Sequence, residues 1–489
     1  MGVRGRKRRP GRKRWVLALA GAFVLLVVGG AGAVYLKLNA NISTFDSAGL
    51  SKDRPDAAQA DAEGHRAVNV LLIGSDTRSG ENAALGGKGT SGSIGRSDTT
   101  ILLHVYPDHR HAVGVSIPRD SLVDIPPCLL PNGTWSPNQP SAIFNSAFSM
   151  GDTAQGNPAC TQNTVERLTG MRVDHTIVVD FEGFAAMTSA VHGVEVCVPS
   201  DIYSWDMNPE LRSRGKLLLR KGMQNLSGQQ ALDYVRMRHG IGDGSDVGRM
   251  MRQQAFLSAL IAKVKGEGMN PGTLLPLADA ATKALTVDPG LGSAAKLVSF
   301  GLSLKNVDLK NIQFVTAPWK YAGSRIDLVH PDVDELFAEL AANRTLEGGN
   351  ASGKGGSGQG GKPRPLPSVD GTGIPVAVFN GTTTDGLAGK AAARLTASHF
   401  TVTGTATARS QDHTTTLIEY GPAEEAQART LARLFPGAQL EEFAIQGINL
   451  VVGDDFAKSA AAPPESLPKS LTAQARSADT NPCAKLSYG

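Results

Sequence analysis

An α/β sandwich with a mixed, largely antiparallel central sheet is the fold class this sequence predicts, and three observations predict it. Apolar runs of strand length, bounded by Gly, Pro and Asp, recur at residues 68–73 (VNVLLI), 100–106, 112–117, 175–179 and 312–316. Helical patterns over 161–169, 181–190, 246–265 and 331–342 are interspersed with them. The turn Pro107-Asp108-His109-Arg110 between the second and third runs is too short for a crossover, so neighbouring strands there run antiparallel.

Taken in order, the chain opens on a membrane signal. Residues 2–14 carry eight basic side chains and no acid, and residues 15–36 carry no charge at all. A helix of that length, at about 1.5 Å per residue, crosses a hydrocarbon core about 30 Å thick. The expected layout is a cytoplasmic basic tail (1–14) and a retained transmembrane helix (15–38), with the rest outside the cytoplasmic membrane in single-pass type II topology. Ala31-Gly32-Ala33 offers a signal-peptidase site, but the apolar run is longer than a usual signal core. Of 49 basic and 45 acidic residues, setting aside those eight and Lys37 leaves 40 against 45, or −5, for the exported part. The basic overall balance is therefore a topology signal and gives no support to a nucleic-acid partner.

A polar stalk (39–66) leads to a first domain over 67–343. Within it, residues 181–190 read as a helix that leads to a strand at 194–198, and Ser227-Gly-Gln-Gln230 reads as a capping box. The Gly/Pro-rich stretch 344–373 reads as a linker. A smaller α/β domain follows over 374–456, with strands at 375–379, 415–420 and 448–452 and helices at 386–397 and 424–434. Residues 457–489, rich in Ala, Pro and Ser, read as a disordered tail. Cys128 and Cys160 lie in loop-like sequence and are expected to form a disulfide on the oxidising side of the membrane. Cys197, inside an apolar run, reads as a buried small hydrophobe.

Charged motifs gather at the strand ends. Gly74-Ser-Asp76-Thr-Arg78 follows the first strand, Gly95-Arg96-Ser-Asp98 precedes the second, and Pro118-Arg119-Asp120 follows the third. Any one of these is ordinary turn chemistry. Together, on one rim of a sheet, they place Asp76 beside Asp98 if the first two strands are antiparallel neighbours. Two adjacent carboxylates repel unless a cation lies between them, and Mg²⁺ (or Mn²⁺) is commonly held by one or two carboxylates plus substrate phosphates. The stretch 234–254, YVRMRHGIGDGSDVGRMMRQQ, adds Arg236, Arg238 and Arg249. An extended backbone would point Arg236 and Arg238 to one face, and a helix opening at Asp246 puts Arg249 and Gln253 on another. Converging guanidinium groups suit a multiply charged phosphate ligand. His104, His109, His111, His175 and His239 lack metal-site spacing and read as structural or surface groups.

With these residues in place, the sequence resembles the LytR–CpsA–Psr cell-wall ligases. The likeness runs in order through NVLLIGSDTR, GRSDTTILLHV, VSIPRD, IVVDFEGF and YVRMRHGIGDGSDVGRMMRQQ, over residues 68–265. Residues 374–456, with VFNGT and INLVVGDDF, resemble the LytR C-terminal domain. The resemblance implies the three-layer α-β-α sandwich of that family. It also implies transfer of a glycopolymer from a polyprenyl-diphosphate carrier to peptidoglycan at a muramic acid C6 hydroxyl, releasing polyprenyl phosphate. Carried over by motif, Asp76 and Asp98 match the Mg²⁺ carboxylates, and Arg119, Arg236, Arg238 and Arg249, with Gln253, match the diphosphate-binding set. Arg78, Arg96 and Asp246 match as substrate-binding positions. The loop between Asp76 and Asp98 is longer than the family's usual one, which bears on acceptor access. Two other readings use the same residues: a polyprenyl-diphosphate hydrolase, with water replacing the sugar hydroxyl, and a non-enzymatic receptor for an anionic wall polymer. Paired carboxylates speak against the receptor, which gains nothing from them without a metal.

Overall fold

The protein's computed structural model describes residues 29–30, 32–60, 64–76, 95–151, 157–207, 210–211, 213–237, 239–242, 244–266, 271–330, 332–351, 371–384, 386–432, 434–435, 437–459, 475–481 and 483. Arg78, Arg238 and most of the expected membrane helix lie outside them. Among the described residues, no helix is long and apolar enough to cross a membrane.

The first domain is built on an eight-stranded sheet. Its strands are β1 (Ser43–Thr44), β2 (Val68–Ser75), β3 (Ser97–Val105), β4 (Ala112–Ser116), β5 (His175–Val179), β6 (Leu285–Val287), β7 (Ile312–Thr316) and β8 (Arg476–Ser477). Their order across the sheet is β1-β6-β5-β2-β3-β4-β7-β8. The meander β2-β3-β4 is antiparallel, as its short turn requires, while β5 joins β2 and β7 joins β4 in parallel. The sheet is therefore mixed. Both faces are covered, so the central strands read as nearly unbroken apolar runs. Leu71, Ile73, Leu102, Val113 and Val115 pack on one face with Val165 of helix α1 (Asn157–Thr169) and with Leu336, Phe337 and Leu340 of the later helix Asp332–Ala341. On the other face, Val105, Ala112, Ile312 and Phe314 meet Leu257 and Ile261 of the long helix described below.

A second apolar cluster lies beside the sheet. Helix α2 (Phe181–Ala190) and helix α3 (Gly228–Arg236) contribute Phe181, Ala231, Leu232 and Val235, and helix α4 (Asp246–Gly266) contributes Phe256. The strand Val194–Val198 pairs with Gly222–Leu226 in a separate two-stranded ribbon, and its Val194, Val196 and Val198 are packed core of this cluster.

Four expectations are corrected. Residues 234–236 are not an extended run: α3 continues through Arg236, because Ala231, Leu232 and Val235 share one buried stripe at helical spacing. The capping box at Ser227 is not made, since its side chain accepts no cap hydrogen bond. The polar stalk is tied down. Ser43–Thr44 joins the sheet edge, Phe45 is buried, and Arg54 grips Glu166 of α1 at 2.6 Å. The first domain also runs on through residue 351, where Leu346 and Ala351 enter the main core. The smaller domain is a five-stranded sheet in which strand Pro375–Asn380 is flanked by Thr401–Thr407 and Ile448–Val452, both parallel to it.

His104 shows what burial does to a titratable group in this core. Desolvation alone pulls its imidazole pKa down to about 3, and the neutral ring meets Asn69 Oδ1 at 2.7 Å. Because the folded pKa is depressed, the unfolded chain binds a proton that the folded one refuses between about pH 6.5 and 3. Stability is therefore expected to fall by about 1.4 kcal/mol per pH unit from this site as pH drops below 6. Thermal melts of His104→Gln should show a shallower acid limb than the parent. An unchanged slope contradicts the assignment.

Candidate active site

The site sits on the rim where β2 and β4 end and β3 begins. The β2–β3 register pairs Gly74 with Thr99 and Ser75 with Ser97, so Asp98 is the extra residue of a β-bulge. A bulge re-aims a side chain without breaking the strand. Here it turns Asp98 toward the loop after β4. A Cβ added at position 74 would stand 3.1 Å from Thr99 Cβ, a tight contact to which the Thr99 side chain would have to yield by a few tenths of an ångström. Asp76 and Arg96 clasp the neck of the intervening loop: Asp76 N–H donates to the Arg96 carbonyl at 3.1 Å, and Arg96 N–H donates to the Asp76 carboxylate.

Arg119 is the hub. Its Nη1 donates to Asp98 Oδ1 at 2.6 Å, and its Nε is shared between Asp246 Oδ2 at 3.1 Å and Asp120 Oδ2 at 3.3 Å. Burial works against a charged guanidinium, but the Asp98, Asp246 and Asp120 carboxylates outweigh it and push the Arg119 pKa up. Asp246, opening α4, also bridges to Arg249 Nη2 at 3.0 Å one turn on. Arg249 is only 5 % exposed. The two arginines, from different elements, are thus held on one carboxylate. Arg325, from the hairpin strand Arg325–Leu328, stands 3.8 Å from Asp120. No local pattern in the sequence pointed to it.

Other expected residues are placed differently. Arg236, at the C-terminal end of α3, lies over the Phe181 ring at 4.0 Å, a cation–π contact that positions it from the IVVDFEGF motif. Gln253 is braced rather than open: its Oε1 accepts from Thr99 Oγ1 at 2.9 Å, and its Nε2 donates to the Val235 carbonyl at 3.3 Å. It therefore ties α4 to both β3 and α3. Arg252, a further arginine of the same stretch, is 1 % exposed and donates to the Met237 carbonyl, fixing the chain just after Arg236.

Asp120 is the group out of balance. Burial first, then its hydrogen bond with Asp246, raises its pKa above the ordinary carboxylate value despite Arg119. Ionising it costs the folded state more than the unfolded one as pH climbs past 3.8. Asp120→Asn removes that cost and keeps a donor toward Asp246. Its melting temperature at pH 7 is expected at or above the parent's, with the gap closing as pH falls toward 4. A lower value at pH 7 counts against this reading.

Among the described residues, no three His, Cys, Asp or Glu side chains converge as a metal cage. The carboxylates of Asp76 and Asp98 are hard oxygen donors of the kind that would suit Mg²⁺, were the ion bound there.

The fold and rim define an α/β protein with an arginine–carboxylate cluster at the strand ends. The model of the LytR_cpsA_psr family matches residues 34–340, and the chain belongs to that family. A second model, described as LytR cell envelope-related transcriptional attenuator, matches residues 373–456. Curated relatives include two proteins of Corynebacterium glutamicum. The probable cell wall biosynthesis protein LcpB is 32% identical over 287 residues, covering 57% of this chain and 62% of its own. The cell wall biosynthesis protein LcpA is 30% identical over 325 residues, covering 62% and 59%. The chain thus spans about three fifths of the length of these two. TagT of Bacillus subtilis, named polyisoprenyl-teichoic acid–peptidoglycan teichoic acid transferase, is 30% identical over 323 residues, covering 65% of this chain and 90% of TagT.

The disulfide Cys128–Cys160 joins the loop after strand Leu122–Ile125 to α1. Cys197 is not a lone buried hydrophobe: it is bonded to Cys483. Its burial was legible, but its partner was not.

Proposed function

We propose that the protein is a membrane-anchored phosphotransferase. It moves a glycopolymer from a polyprenyl-diphosphate carrier to a peptidoglycan hydroxyl, the muramic acid C6 hydroxyl, and releases polyprenyl phosphate. The observation that carries this reading is the Arg119 hub, with Arg249 held on the same Asp246 carboxylate. The likeness to TagT, a polyisoprenyl-teichoic acid–peptidoglycan teichoic acid transferase, supports it.

Phosphoryl transfer asks a protein mainly for positioning and charge neutralisation. The diphosphate binds against Arg119 and Arg249, which exchange carboxylate contacts for phosphate oxygens of the same charge, with Arg236 as a further cation. Mg²⁺ held by Asp76 and Asp98, when bound, supplies further neutralisation of the phosphate oxygens. The acceptor oxygen attacks the sugar-linked phosphorus, the bond to the bridging oxygen breaks, and polyprenyl phosphate leaves. The acceptor's proton passes to a nearby carboxylate or water. Asp120, with its raised pKa, stands at the right rim to take it. The uncharged run 15–36 holds the domain at the membrane that supplies the lipid carrier.

The test is incubation of the protein with a polyprenyl-diphosphate-linked sugar, Mg²⁺ and peptidoglycan oligomers. Phosphate-linked sugar on the oligomer, formed only with Mg²⁺, supports the transferase. Release of polyprenyl phosphate at the same rate with and without acceptor overturns it in favour of the hydrolase.

A further inference from the structure

Residues 475–481 and Cys483 lie in the tail expected to be disordered, after the C-terminal domain in sequence, but they belong to the first domain in space. Arg476–Ser477 pair antiparallel with β7, Phe314 opposite Arg476 and Gln313 opposite Ser477, and cover the edge of the sheet. Next, Ala478 N–H donates to the Ile312 carbonyl at 2.8 Å. Its methyl is buried in the cluster that Phe314 shares with Leu257 and Ile261 of α4. Ala475 packs against the main core. Five residues beyond Ala478, Cys483 is bonded to Cys197, whose own side chain is 3 % exposed, across a Cα–Cα distance of 5.1 Å and 286 residues of sequence. That separation suits an unforced disulfide.

We propose that 475–483 is a disulfide-latched strap completing the first domain. The C-terminal domain then becomes a loop of chain anchored to the first domain at both ends, rather than a terminal appendage. Strand pairing and the disulfide are two independent attachments, and both reach elements packed on α4, the helix that carries Asp246, Arg249 and Gln253: Ala478 shares a cluster with its Leu257 and Ile261, and the strand that carries Cys197 shares another with its Phe256. A two-residue strand alone offers few backbone hydrogen bonds to hold so long a loop closed, so the covalent bond is the latch. The strap also shields a strand edge that would otherwise present unpaired backbone groups. Unlatching is thiol–disulfide exchange: a dithiol reductant is oxidised to its disulfide, and Cys197 and Cys483 are left as thiols. This inference does not depend on the transferase reading.

The experiment uses the full chain in detergent, with a sequence-specific protease site replacing residues 355–361. After cleavage, the two halves are expected to migrate as one species in a denaturing gel without reductant and as two after dithiothreitol. Cys483→Ser should separate the halves without reductant and lower the melting temperature of the first domain by roughly 5–10 °C. Cys128→Ser, which breaks the other disulfide, should leave the halves joined. Separation of the cleaved parent without reductant, or alkylation of Cys483 as a free thiol in the intact chain, overturns the strap.

Discussion

Arg119→Ala is expected to reduce turnover of a polyprenyl-diphosphate substrate by roughly 10²–10³-fold, the loss typical when one preorganised charge-stabilising donor is removed. Arg119 bonds three carboxylates and has its charge reinforced by all three. Without it, Asp98, Asp120 and Asp246 face one another with less counter-charge, and the diphosphate loses the central cation of its cradle. Arg119→Lys should recover little, because a point charge cannot reproduce a fork that serves Asp98 through one nitrogen and Asp246 through another. Turnover and substrate affinity measured together check this, with a melting curve to show that the variant folds. Near-parent turnover in Arg119→Ala would remove the hub from the mechanism.

Asp246→Ala should cost nearly as much, by a different route. Asp246 touches Arg119 and Arg249, so its loss lets two guanidinium groups drift, and displacements of about 1 Å at such a site can cost about 10²-fold. Arg249 is also left buried without this partner, which should lower stability by about 3 kcal/mol. Asp246→Asn keeps an acceptor oxygen and the helix start, so it should fall between the parent and alanine on both measures. Loss of stability with full turnover would make Asp246 a structural residue only.

Much of this site was legible because short-range rules fixed it. A four-residue turn made the second and third strands antiparallel, and the brevity of each run placed GSD, GRSD and PRD on one rim. Asp246 could be assigned as a helix start from the apolar stripe that follows it. The bulge at Asp98 was not legible, since its cause is a register slip between two strands rather than a residue pattern. The RxR spacing of Arg236 and Arg238 suits an extended run, but the helical burial of Leu232 and Val235 outweighs it at Arg236. The helices Pro271–Ala284 and Ala294–Ser303 went unread, and the first carries an internal Pro276 that masks its pattern. Arg325 and Cys483 reach Asp120 and Cys197 across long stretches of chain, and nothing local announces such contacts. Strand β8 is two residues in an Ala/Pro/Ser-rich tail, too short to show any period.

The most direct test of the central claim follows both products of one reaction. The full chain in detergent is given a polyprenyl-diphosphate-linked sugar and Mg²⁺, and peptidoglycan oligomers are added to half the samples. The account predicts phosphate-linked sugar on the oligomer in step with released polyprenyl phosphate, both dependent on Mg²⁺ and both lost in Asp76→Ala and Arg119→Ala. Binding of the lipid-linked sugar without turnover, undiminished in Asp76→Ala, would contradict it and leave a receptor for an anionic polymer.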